Sequence, residues 1–232
     1  MHALWEGARG ASGLLFGGDP EFWAIVGRTL LVSGAATALA MSVGVPLGYL
    51  LARRRFPGRT FVLSLINTGM GLPPVVVGLV VWLLLVRSGP FGTFELIYTK
   101  GAMIIAQFAI STPIIVGFTA ASIQALPPGL PDLLTTLGAD PLRKLLLLSR
   151  EAKLGLLAAV MAGFGGAVSE VGASMTVGGN LQGSTRVLTT AIVTETSRGA
   201  TDRAIALGVV LLLLSYGVTL LLTVVQQRQQ AR

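Results

Sequence analysis

Long apolar runs alternate with short polar connections along the whole chain. Five runs reach the ~20 residues that a helix needs to cross the hydrocarbon of a bilayer: Thr29–Ala52, Thr60–Val86, Gly101–Leu126, Leu154–Gly179 and Ala204–Val225. Four carry no charge before their last residues, and the fourth in order is interrupted only by Glu170. The pattern therefore predicts about five transmembrane helices with short connections and no room for a separate soluble domain. Gly, Ala, Ser and Thr crowd the runs, as in Ser33–Gly44 (SGAATALAMSVG) and Ala158–Ser174 (AAVMAGFGGAVSEVGAS). In lipid, where apolar surface has no drive to leave its solvent, small residues let helix backbones approach closely, so a compact bundle is expected. Pro46, Pro73, Pro74 and Pro113 fall inside spans, where each removes a hydrogen bond and favours a kink.

One segment breaks the rhythm: DLLTTLGADPLRKLLLLSREAKLG, Asp132 to Gly155. Pro131 suits the first position of a helix and Asp132 its positive end. Gly138 suits the left-handed residue that closes one. Asp140 and Pro141 suit the cap and first position of the next. The spacing predicts a helix of about two turns, a tight Gly-Ala-Asp turn, and a second helix leading into the fourth span. Neither is long enough to cross a membrane. Their apolar faces need a protein groove or a membrane surface, and the residues alone leave both open.

Composition supports the membrane reading. Of 232 residues, 53% are hydrophobic and 12% charged, against about 25% charged in soluble domains; mean hydropathy is +0.77. The net charge of +7 is assigned to topology rather than to nucleic acid, because no basic cluster with interleaved aromatics occurs. With five spans the termini lie on opposite sides. An external N-terminus places ten Lys and Arg inside, including Arg53, Arg54, Arg55 and Arg59 in one short loop, and seven outside. That orientation puts Asp132–Gly155 and the C-terminus in the cytoplasm. Residues 1–21 lack a basic stretch followed by a continuous apolar run, so no cleavable signal peptide is expected.

Several chemistries are excluded. There is no Cys and a single His, His2, so thiol catalysis, disulfides and His or Cys metal clusters are not expected. No Gly-x-x-x-x-Gly-Lys-Ser/Thr loop occurs and no paired carboxylates or Ser/His/Asp set suggests a catalytic site. No catalytic residue and no metal site is assigned.

The residues then carry a resemblance. Asp132, Leu133, Leu134 and Gly138 stand where the Glu-Ala-Ala…Gly pattern of ABC importer permeases has its fixed positions, although the usual closing Ile-x-Leu-Pro is replaced by Leu148-Ser149-Arg150-Glu151. Arg28–Ala52 resembles the first core span of that class, and Leu72–Gly92 the second span and following loop of its molybdate/tungstate branch. Ala167–Gly199 (AVSEVGASMTVGGNLQGSTRVLTTAIVTETSRG) resembles the fourth span and outer loop of tungstate-type permeases. The similarity covers residues 22–226.

The resemblance implies an all-α integral membrane protein of the type I ABC importer permease kind. It is a non-enzymatic subunit in a prokaryotic cell (inner) membrane that pairs with a second copy of itself. An ABC ATPase subunit, which would hold ATP and Mg, lies below, and an extracytoplasmic substrate-binding protein lies above. The chain itself needs no cofactor. Residues 1–21 are then an external segment, 22–226 the permease domain with a coupling loop at about 127–153, and 227–232 a cytoplasmic tail. Asp132, Gly138, Ala139 and Asp140 are the ATPase-coupling residues, and the implied cargo is tungstate, with molybdate and sulfate as alternatives. Two readings of another class are weighed beside it: an enzyme built on Glu170, against which the absence of a second catalytic group in the spans argues, and an ion-coupled carrier working without ATP, which binding to an ATPase through the Gly138 loop would separate.

Three further residues are candidates. An ionisable group inside a span costs about 2.5–3.5 kcal/mol at its centre. Glu170 therefore either lines a pathway or locks its span to a neighbour through an Arg or backbone amides; a fixed negative charge would repel an oxyanion, which favours the lock. Asn180 and Arg186, in the Gly-rich stretch Gly178–Arg186, are candidates for external docking or anion guidance, against a plain flexible turn. Val187–Thr196 is too short to span and is expected to be a re-entrant or interfacial helix.

Overall fold

The computed structural model describes residues 17–230 together with Gly10, Gly13 and Leu15. Most of the external segment assigned to residues 1–21, with His2, lies outside the described residues, as do Ala231 and Arg232 of the tail. Among the described residues there are ten α-helices, one 3-10 turn at Gly92–Phe94 and no strand.

The first helix, α1 (Pro20–Arg53), begins well before the span predicted at Thr29. Asp19 caps it by accepting from Glu21 N at 2.9 Å, and Pro20 occupies the first turn. Arg28 consequently sits two turns inside the helix. Pro46 stays within α1, just as Pro113 stays within α4 (Lys100–Gln124). A proline inside a long, well-packed helix removes one hydrogen bond and need not end it.

The second span behaves differently. Thr60–Val86 does not form one continuous helix but two of 12 residues, α2 (Arg59–Met70) and α3 (Pro74–Leu85), bent by 104°. Here the break is complete because two consecutive prolines, Pro73 and Pro74, follow Gly71-Leu72. Neither Pro73 nor Pro74 has an N–H to continue the ladder, and the extended backbone required before a proline ends α2.

The fourth span also divides. The short pair α5 (Leu130–Thr136) and α6 (Pro141–Glu151) leads to α7 (Lys153–Val168), which gives way at a 59° bend to α8 (Gly172–Gly178). No proline lies at this break, but Glu170 does. The short α9 (Leu188–Ser197) and the long α10 (Thr201–Gln230) complete the chain. Three helices, α1, α4 and α10, are each long and apolar enough to cross a membrane, and counting each bent pair as one crossing brings the number to five.

At the centre lies α4, packed against α1, α2, α3, α7 and α8. Small residues set its closest approaches. A Cβ on Gly48 of α1 would lie 2.7 Å from the Thr119 Cβ and 2.8 Å from the Val116 carbonyl oxygen of α4. The second halves of the two broken spans meet as well: a Cβ on Gly78 of α3 would come within 2.6 Å of the Ala173 Cα of α8. One core joins Val32, Val81, Met103, Ala106, Ala173 and Val177, and a second joins Phe22, Ile25, Leu188, Ala191 and Leu207. Outward, α2 exposes Phe61 and Leu65, and α10 exposes Leu212, Leu213, Tyr216 and Leu221. Apolar surface of this extent on membrane-embedded helices is what lipid covers.

Candidate functional site

The α5–α6 pair is built by its capping residues. Gly138 takes φ +76°. Its N–H donates to the Thr135 carbonyl at 3.0 Å, and the Ala139 N–H donates to the Leu134 carbonyl at 3.0 Å. These are the two bonds of a Schellman closure, which needs a left-handed residue at the first position beyond the helix. Asp140 then accepts from Arg143 N at 2.6 Å and opens α6, with Pro141 at its first position. Asp132 lies in the first turn of α5, and its carbonyl accepts from the Thr136 hydroxyl at 3.1 Å. Asp132, Gly138, Ala139 and Asp140 thus belong to one helix–turn–helix hinge.

The pair has two apolar faces. Leu130, Leu134 and Leu148 pack with Ile123 and Tyr49, fastening the hinge to the ends of α4 and α1. Leu133, Leu137 and Leu146 point away and are 54%, 72% and 52% exposed.

Glu170 lies apart from this hinge. It is 6% exposed. Its Oε1 accepts from Ala173 N at 2.7 Å, satisfying one of the orphan donors at the start of α8, while its carbonyl accepts from the Thr189 hydroxyl of α9 at 3.0 Å. Glu170, two residues beyond the end of α7, thus caps α8 and ties the break to α9. No arginine pairs with it among the described residues.

Asn180 and Arg186 are brought together in the loop after α8. Asn180 takes φ +49°, its Nδ2 donates to the Thr194 hydroxyl at 2.6 Å, and its Oδ1 accepts from Arg186 Nε at 3.3 Å. Thr185 donates to the Gly178 carbonyl at 2.5 Å and accepts from Leu181 N at 2.9 Å. This loop is internally bonded. Gln182 reaches Glu21 Oε2 at 2.9 Å and attaches it to α1.

Two features escaped the sequence reading. Arg28 is 7% exposed and bonds the Ala24 carbonyl at 3.0 Å; its position at the edge of an apolar run masked its burial. Gln107 of α4 donates to the Ser174 hydroxyl of α8 at 3.2 Å, and Ser111 to the Gly163 carbonyl of α7 at 2.9 Å. These bonds form a polar seam along the centre of the bundle. A Gln and a Ser four residues apart on an otherwise apolar helix were its signal.

A family model described as "Binding-protein-dependent transport system inner membrane component" matches residues 44–231. The chain is 44% identical over 202 residues to a probable anion ABC transporter permease protein of Haloferax volcanii, covering 85% of this chain and 87% of that one. It is 39% identical over 227 residues to the tungstate uptake system permease protein TupB of Peptoclostridium acidaminophilum, covering 98% of this chain and 100% of the relative. Among solved structures, a chain of the MetNI methionine ABC transporter matches with a TM-score of 0.71 at 21% identity, over 91% of this chain and 98% of that one. That last likeness concerns the fold.

Proposed function

The chain belongs to the binding-protein-dependent transport system inner membrane components, and from that membership we propose that it is the permease subunit of an ABC importer for tungstate. The cargo rests on one observation: identity to a tungstate uptake permease extends over 98% of this chain and all of the relative. The bundle provides spans and a polar seam, which suit a subunit that moves cargo across a membrane. Energy then comes from a separate ATP-hydrolysing partner.

The coupling element is the α5–α6 hinge. Its exposed Leu133, Leu137 and Leu146 would enter a groove on the ATPase, where burying each leucine contributes about 1.5–3 kcal/mol. Movement there reaches α1 and α4 through Leu130, Leu134 and Leu148. A second copy of the chain completes the pathway. The N-terminus is placed outside and the C-terminus in the cytoplasm, and the Asn180–Arg186 loop faces the substrate-binding protein. Glu170, whose carboxylate caps α8, serves as a structural lock between the halves of the fourth span.

Co-purification tests the coupling assignment. Gly138→Glu strains the left-handed turn and adds a charge at the hinge, so the variant should lose its ATPase partner while the chain remains in the membrane. Normal assembly and uptake with Gly138→Glu would refute the assignment.

A further inference from the structure

A groove of about 480 Å³ lies between the last turns of α1 and the α5–α6 pair, a volume within the ~300–1,000 Å³ typical of ligand sites. Its α1 wall changes character along the helix. Pro46, Tyr49 and Leu50 make an apolar stretch on one helical face, and Arg53 and Arg54 follow one turn later. Leu142, Lys144 and Leu145 of α6 line the opposite side. Among the described residues no carboxylate lines the groove, and Arg53, Arg54 and Lys144 form no ion pair.

Three uncompensated cations above an apolar trough match one chemistry, a phosphate attached to a hydrocarbon chain. We propose that the groove holds one anionic phospholipid, its phosphate against Arg53, Arg54 and Lys144 and its chain along Pro46, Leu50 and Leu142. The proposal rests on the orientation given above, which places this end of α1 at the cytoplasmic leaflet. Basic pockets between spans on that side suit anionic headgroups. Arginine and lysine stems can lie along the apolar wall while their charged ends reach the interface. A lipid seated here touches both the first span and the coupling pair, so it would bridge the two in the assembled transporter.

The test uses the full chain purified in mild detergent. Native mass spectrometry counts retained phosphatidylglycerol and phosphatidylcholine carrying identical chains. The wild-type chain should retain one phosphatidylglycerol with at least a tenfold preference. Each cation contributes about fivefold near an anionic headgroup, so R53Q/R54Q/K144Q should weaken retention on the order of a hundredfold. R55Q/R143Q/R150Q removes the same charge outside the groove and should change little. R53K/R54K should keep the preference, which guards against a folding defect in the triple variant.

Equal retention of the two lipids, or equal losses in both triple variants, would overturn the proposal. So would displacement of the lipid by millimolar inorganic phosphate, which marks a small-anion site. Loss of the lipid on assembly with the ATPase would place a protein in the groove and also overturn it. The readout needs neither ATP nor cargo, so its failure and a failure of the importer assignment are separately visible.

Discussion

Replacing Glu170 separates a structural lock from a group on the cargo path. In Glu170→Ala the buried Ala173 N–H loses the acceptor it now holds at 2.7 Å. An orphaned buried donor costs about 1–3 kcal/mol. For a chain of this length each kcal/mol shifts the unfolding midpoint by about 2–4 °C, so Glu170→Ala should unfold roughly 2–12 °C earlier. Glu170→Gln keeps an oxygen in the same place and should stay within about 1 kcal/mol of wild type. The assay is thermal unfolding of the detergent-solubilised chain, paired with uptake in whole cells. The lock requires that uptake follow stability, with Gln near wild type and Ala impaired. A Gln variant as unstable as Ala would show that the hydrogen bond to α8 is not the cause. A Gln variant of normal stability with uptake down tenfold or more would put the carboxylate on the pathway and refute the lock.

The contact between the broken spans gives a second prediction. Gly78→Leu forces a side chain into space where a Cβ alone would come within 2.6 Å of the Ala173 Cα; overpacking of this kind costs about 1–3 kcal/mol or more, read as a lower unfolding midpoint and reduced folded yield. For the outer face of the hinge, Leu133→Asp with Leu137→Asp should leave the midpoint of the isolated chain nearly unchanged, because both side chains are exposed. The same pair should weaken ATPase association on the order of a hundredfold or more, measured by titrating the ATPase onto the purified chain.

Much of this organisation is legible in the sequence because local rules act alone there. Gly138, Asp140 and Pro141 each do at their position what their chemistry favours, and the hinge closes as their spacing predicts. Apolar run length likewise locates α4 and α10 to within a few residues at most ends. The two bends were harder to read. Two prolines after a glycine end a helix that one proline elsewhere merely strains, and whether a proline kinks or breaks depends on the packing around it. Pro46 and Pro113 remain helical inside the long α1 and α4, whereas Pro73–Pro74 turns the chain by 104°. At Glu170 the apolar pattern shows an intruding acid but not its consequence, because the competing acceptor acts on an amide three residues on. The start of α1 escaped because Asp19, Glu21 and Arg28 interrupt the apolar pattern there. The pairing of Asn180 with Arg186 also depends on a left-handed backbone at Asn180 that its residue type permits but does not dictate.

The central claim is that this chain admits tungstate. The most direct measurement is the tungsten and molybdenum content of cells lacking the gene, with and without its restoration, grown in nanomolar amounts of both oxyanions. The account predicts that tungsten accumulation falls on deletion and returns on restoration while molybdenum stays unchanged. Unchanged levels of both metals, or a loss confined to molybdenum, would contradict it.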